Sequence, residues 1–345
     1  MSDKIITTEA VATLLKALRE TSRVFVPVRE EGFSRFRLLT DEDTLALSFT
    51  NTRLSPKSLL FPQSERMFEF TLDETREDAH IMRESPTPYP PTVVFAIRPC
   101  DARAIRLVNV NFDTPEFQDP WWVNRLESMT FIGLACNDPC TTCFCTSVGG
   151  GPFNEEGLDV LLVELGVHLL ARALTEKGEK LLTEAGVDQE AGGEAEKKAE
   201  ALKREAEQKI RSHVPTDTLK EKKAAELFDA PFWDEVAFAC INCGACTFLC
   251  PTCWCFDIQD EVTKAHGERM RNWDSCMFPL FTLHASGHNP RAEKVQRVRQ
   301  RFMHKLKYYV DKYHNGVACV GCGRCVTCCP VNIDIREVFH RMNDL

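Results

Sequence analysis

The sequence predicts two domains of different class: an α/β or α+β unit over residues 1–187 and an α-helical unit over 231–345, joined by a charged helical linker at 188–230. Three observations carry this expectation. Short apolar runs alternate with helical patterns through the first part, as they do where strands and helices share one sheet. Residues 188–225 are rich in Ala, Glu and Lys with few apolar anchors, a strong helix former of the kind that bridges domains. Beyond Phe232 cysteines and aromatics take over, and the roughly seventy residues between two copies of one cysteine motif hold no convincing strand.

In chain order, Thr8 is a plausible N-cap for a helix in which Ala10, Val11, Leu14, Leu15 and Leu18 recur at helical spacing. Residues 24–28 read as a strand, and 33–39 and 45–49 as strands of a sheet with one wet face. Pro86, Pro88, Pro90 and Pro91 mark a loop. Residues 93–97 and 130–135 are short, wholly apolar strands suited to burial on both faces. The first delivers Arg98-Pro99-Cys100-Asp101 and the second delivers Cys136. Residues 158–165 read as a third such strand, entering a helix over 167–184. In the C-terminal part, 257–266 and 290–310 read as helices. In the latter, Val295, Val298, Phe302 and Leu306 share a face, which assigns Arg297, Arg299, Arg301, His304, Lys305 and Lys307 to a solvated one.

The duplicated motif is the strongest signal. Cys240, Cys243, Cys246, Cys250 and Pro251 follow C-x2-C-x2-C-x3-C-P, and Cys319, Cys322, Cys325, Cys329 and Pro330 repeat it. This is the spacing by which thiolates hold [4Fe–4S] clusters in bacterial ferredoxins, where the fourth cysteine reaches the other cluster. The expected ligand sets are therefore Cys240, Cys243, Cys246 and Cys329 for one cluster, and Cys319, Cys322, Cys325 and Cys250 for the other. Structural zinc also takes four thiolates, but usually from two separated C-x2-C pairs. The long helical spacer points to an α-helical ferredoxin-type dicluster domain.

Five more cysteines lie in the N-terminal part. Cys136, Cys140, Cys143 and Cys145 form one run, and Cys100 follows a neighbouring strand. Carboxyl ends of parallel strands lie side by side, so Cys100 can close a site begun by the run. That makes these five the candidate ligands of a third [4Fe–4S] cluster, one of them surplus, apart from the C-terminal pair. Gly149, Gly150 and Gly151 would let backbone approach a bulky inorganic core. Buried structural thiols and zinc are the competing readings. Cys253, Cys255 and Cys276 follow the first motif and read as a supporting shell, with a redox-active thiol site as the alternative. Cys328 reads as a packed thiol, and the segment holding His284 and His288 as a turn.

Composition narrows the setting. The 345 residues are 43% hydrophobic and carry a net charge of −9, which argues against a nucleic-acid partner. The first residues lack the apolar core of a signal peptide, and no apolar run reaches membrane-spanning length. Seventeen cysteines without an export signal suggest metal ligation in a reducing cytoplasm, in an organism living with little oxygen. No G-x-G-x-x-G follows a strand, so no dinucleotide site of the Rossmann kind is expected.

Taken together, Arg98-Pro-Cys-Asp101, Cys140-Thr-Thr-Cys-Phe-Cys145, Cys253-Trp-Cys-Phe-Asp257, Arg271-Asn-Trp-Asp-Ser-Cys276 and the two cluster motifs resemble the iron–sulfur β subunit of cytosolic sulfhydrogenases. They are equally similar to the A subunit of anaerobic sulfite reductase. Related proteins accompany flavin subunits of heterodisulfide-reductase-like complexes. The resemblance runs from about residue 90 to the end and leaves the charged helix outside it. It implies a hetero-oligomeric oxidoreductase. In it this polypeptide would relay electrons between a flavin/NAD(P) subunit and a catalytic subunit, carrying no flavin, nickel or sirohaem itself. The alternative is a thiol/disulfide or sulfur reductase acting through Cys253, Cys255 and Cys276; a third class is a zinc-stabilised interaction module.

Overall fold

The computed structural model describes residues 3–43 and 47–345. Its centre is a seven-stranded sheet in the order β1-β9-β8-β7-β6-β2-β3. The strands are β1 (Lys4–Thr7), β2 (Arg23–Glu30), β3 (Phe33–Leu38), β6 (Thr92–Ile97), β7 (Met129–Leu134), β8 (Val160–Glu164) and β9 (His168–Ala173). A parallel core of β8, β7, β6 and β2 carries antiparallel β3 beyond β2 and, beyond β8, antiparallel β9 followed by β1, which pairs antiparallel with β9 and so runs with the core. Every residue of β6 and β7 is buried, as continuous apolar runs require when helices cover both faces. The helices Ala10–Thr21 and Glu176–Glu184 close one face through Val11, Leu14, Leu15, Leu18 and Leu182. Helices Pro99–Asn109, Pro120–Glu127 and Gly193–Lys209 close the other through Ile105, Val108, Trp122, Ala199 and Ala206.

The charged helix Gly193–Lys209 thus lies on the sheet through two alanines, with Lys198 Nζ donating to the Leu165 carbonyl at 2.8 Å. The chain after it crosses to a second core, where Val214, Leu219, Leu227 and Ala230 pack with Trp233, Phe302, Leu306 and Phe339. That core joins helices Phe232–Phe238, 294–313 and Ile335–Asn343. Helix 294–313 opens on a capping box of Glu293 and Gln296 and contains a π-turn at His304–Tyr308.

Four expectations fail. Residues 257–266 are not helical: β10 (Phe256–Thr263) and β11 (His266–Trp273) form a hairpin, so the spacer between the motifs does contain strands. Its turn passes through Lys264 at φ 57°, not the Asn-Gly or Asp-Gly that announces a hairpin, although Phe256, Ile258 and Val262 do alternate with polar residues along β10. The hairpin joins β4 (Ser64–Thr71) and β5 (Arg83–Glu84) in a second sheet, β10-β11-β4-β5, tying the spacer to the N-terminal half. Buried Glu65 of β4 anchors it, accepting from Arg125 and from Arg271 of β11. The helix expected from 167 begins only at Glu176, because Gly166 at φ 98° reverses the chain into β9. Part of the strand expected over 45–49 lies outside the described residues, and 47–49 form a loop. Finally, Arg297, Arg301, Lys305 and Lys307 do not face solvent: each is under 7% exposed.

Candidate iron–sulfur centres

The two motif loops share one backbone course. Each passes twice through the left-handed region at matched positions, Asn242 (φ 53°) and Gly244 (φ 74°) in the first, Gly321 (φ 63°) and Gly323 (φ 72°) in the second. These reversals curl three neighbouring cysteines round one hollow. Short helices, Ala245–Phe248 and Arg324–Thr327, then carry the chain onward to the fourth cysteine.

Three cysteine-lined hollows result. The first is lined by Cys240, Cys243, Cys246 and Cys329, with Cys325 and Arg301 on its inner wall. The central one is lined by Cys250, Cys319, Cys322 and Cys325, with Arg301, Lys305 and Arg324. Cys329 of the second motif therefore stands in the first hollow, and Cys250 of the first motif in the central one. The third is lined by Cys100, Cys136, Cys143 and Cys145, with Asn51, Arg98, Gly151 and Cys322. Adjacent hollows share walls, Cys325 and Arg301 between the first two and Cys322 between the last two.

The sheet makes the third hollow. β6 and β7 are parallel neighbours, with Val94 opposite Phe131, so the chain leaves both at the same edge of the sheet. A bulge at Ala96, φ 60°, shifts the register just before Arg98. The Arg98 guanidinium then donates to the carbonyls of Thr50, Leu134 and Ala135 at 3.0, 3.1 and 2.8 Å, pinning both exits. The run 136–145 folds directly against the second motif and not apart from it. Phe144 N donates to Gly321 O at 2.9 Å, and Cys143 Sγ lies 3.8 Å from Cys322 O. Asn51 ties the pieces together, with Nδ2 donating to Cys322 O at 3.0 Å and Cys100 Sγ 3.9 Å from its Oδ1. Cys140 stands outside the lining, 3.8 Å from Asn51 Nδ2.

Electrostatics fit a bound core. Burial pushes the Cys319, Cys322 and Cys145 thiols up to about 12. Cys140 is drawn down to about 6 by a hydrogen bond from Cys143, whose own thiol is raised. Between the central and third hollows, Arg324 and Asp101 form a buried pair at 2.6 and 2.8 Å, and Arg324 Nε donates to Thr52 O at 2.8 Å. A zinc site would need thiolates about 3.8 Å from one another. Among the described residues no three His, Cys, Asp or Glu gather closely enough to hold a single ion. Each hollow is walled by at least four cysteines, the number of thiolates that a [4Fe–4S] core takes.

The remaining thiols lie behind the central hollow. Cys253 hydrogen bonds with Cys250. Cys255 sits at the base of the β10–β11 hairpin, where Asp274 N donates to its carbonyl at 3.0 Å and Cys276 draws its thiol down to about 7. Lys57 Nζ is buried against this group, donating to the carbonyls of Cys250 and Cys253 at 2.9 and 3.0 Å. Cys328 lines none of the three hollows, and His284 and His288 form an exposed turn. Asn51, Lys57, Arg301 and Lys305 had no signal in the sequence: each is an ordinary polar residue whose role depends on long-range packing.

Paired motif loops that exchange their fourth cysteine define an iron–sulfur electron carrier of the dicluster class. A family model for a 4Fe-4S dicluster domain matches residues 239–333. The β subunit of sulfhydrogenase 2 from Pyrococcus furiosus is 31% identical over 336 residues, covering 95% of this chain and 94% of that protein. No solved structure matches. The chain belongs to the iron–sulfur β-subunit family of the sulfhydrogenases. It carries [4Fe–4S] clusters and serves electron transfer in a multi-subunit oxidoreductase. Among the described residues no helix is long and apolar enough to cross a membrane.

Proposed function

We propose that this chain is a three-centre electron relay between a flavin/NAD(P) subunit and a catalytic subunit. Given its relative's name, the catalytic partner is of the hydrogenase type in preference to a sulfite or heterodisulfide reductase. Cys240, Cys243, Cys246 and Cys329 hold the first cluster. Cys250, Cys319, Cys322 and Cys325 hold the central one. Cys100, Cys136, Cys143 and Cys145 hold the third, leaving Cys140 as the surplus thiol. Such clusters take up and release single electrons over a potential range that charge, hydrogen bonds and exposure tune. The observation that carries the reading is the row of cysteine hollows sharing walls, a continuous path through the protein. The first hollow supports docking of a partner: Cys243 is exposed, and Phe238 and Ile241 beside it are 84% and 61% exposed.

A second reading keeps one specific support. Cys255, drawn down to about 7 by Cys276, has the acidity of a reactive thiol, as a thiol/disulfide or sulfur reductase would need. Kinetics with the purified chain separate the two. A relay accepts electrons from a reduced flavoprotein partner but turns over neither NAD(P), sulfite nor polysulfide alone. Polysulfide reduction by the isolated chain, abolished by Cys255→Ser, would favour the second reading.

A further inference from the structure

Helix 294–313 presents cations to the protein interior. Arg301 and Lys305 are 5% and 4% exposed, one helical turn apart on the same side. Both line the central hollow, and Arg301 also lines the first. Lys305 Nζ donates to Thr252 Oγ1 at 2.8 Å and to the Ala318 carbonyl at 3.2 Å, neutral partners both. Arg301 Nε is buried without a hydrogen-bond partner, and its guanidinium carbon lies 4.4 Å from the Phe302 ring centroid. Among the described residues neither cation is ion-paired with a carboxylate. Arg324, on another wall of the central hollow, shows the compensated alternative: Asp101 neutralises it through two hydrogen bonds.

A buried charge without a counter-charge is strongly destabilising and is not retained in a core for packing alone. Something negative must occupy the space the two side chains face. The thiolates and core of an iron–sulfur centre are that anion, on the ligand assignment proposed above, on which this inference rests. We propose that Arg301 and Lys305 are its counter-ions and tune the relay, Lys305 acting on the central centre alone and Arg301 on the central and first centres together. Adding an electron adds one negative charge in a poorly screened interior, and a fixed cation at the wall lowers the energy of that state. Both residues therefore raise the potentials of the centres they face. The third centre, whose lining includes neither, is left alone.

The test is a potentiometric titration of the full chain followed by electron paramagnetic resonance, with iron counted in every sample. Lys305→Met should keep its iron and lower one transition. Its reduced-to-oxidised ratio at a fixed potential should fall at least tenfold, about 59 mV for a one-electron couple. Arg301→Gln should lower two transitions, and Arg301→Lys, which keeps the charge, should restore them. If both charge-removing variants keep their iron and every transition stays at its wild-type position, the proposal is overturned. Iron loss that neither Arg301→Lys nor Lys305→Arg repairs would assign these side chains to packing and overturn it too. A wild-type chain that binds no iron would instead defeat the ligand assignment, and the proposal with it.

Discussion

The two motif loops have the same backbone and opposite surroundings. Around the first, Cys243 and Ile241 are exposed and half-buried Asn242 occupies the first left-handed position, its Oδ1 3.6 Å from Cys240 Sγ. Around the second, residues 317–324 are all buried and the matching position is Gly321. A Cβ at Gly321 would stand 2.5 Å from Cys145 N, because the N-terminal cysteine run lies on that loop. One loop is left exposed, and the other is capped by the sheet domain. The difference teaches that a symmetric sequence motif is made directional by what packs on it. In the three-centre relay proposed above, the duplicated motif supplies one end and the middle.

Breaking the capped side should have the largest effect. Gly321→Ala places a side chain at φ 63° and drives it into the 144–145 backbone, at a combined cost of roughly 2–6 kcal/mol. Urea unfolding of the anaerobic protein should show this loss, accompanied by loss of iron from the third centre proposed above. Asp101→Asn comes next. It leaves Arg324 buried without its counter-charge, a change that typically costs about 3–5 kcal/mol when a buried pair is broken from one side. The unfolding midpoint should fall accordingly. The thiols of the metal-free chain sharpen the comparison further. At pH 8 Cys243 should be alkylated rapidly, whereas Cys319 and Cys322 should stay unmodified. Both are buried and pushed up to about 12, so they remain protonated at that pH. Peptide mapping after brief iodoacetamide treatment reads this directly. The smallest effect is expected for Asn242→Gly on the open side, within about 0.5 kcal/mol of wild type.

The chemistry was legible because it is written in local spacing. Two C-x2-C-x2-C-x3-C-P runs announce clusters whatever the chain does between them, and the apolar runs ending in Arg98-Pro99-Cys100 and Cys136 announce neighbouring buried strands. What was not legible depends on distant partners. The hairpin β10–β11 reads as a helix over 257–266 because its turn carries no Asn-Gly or Asp-Gly signal. The alternation of Phe256, Ile258 and Val262 is short and broken at Asp260, and the pairing with β4 lies about two hundred residues away in the chain. The basic face of helix 294–313 reads as solvated because cations usually are, and only the hollows it borders explain its burial. The position of the third site against the second motif was likewise hidden. It is set by contacts such as Asn51 to Cys322, separated by 271 residues.

The central claim, that the N-terminal cysteines add a third centre in line with the other two, is tested most directly by counting iron and acid-labile sulfide. The measurement uses the anaerobically purified full-length chain alongside Cys136→Ala. The account predicts about twelve irons and twelve sulfides per wild-type chain, falling to about eight in the variant with the C-terminal signals retained. About eight irons in both proteins, or zinc in place of iron, would contradict it.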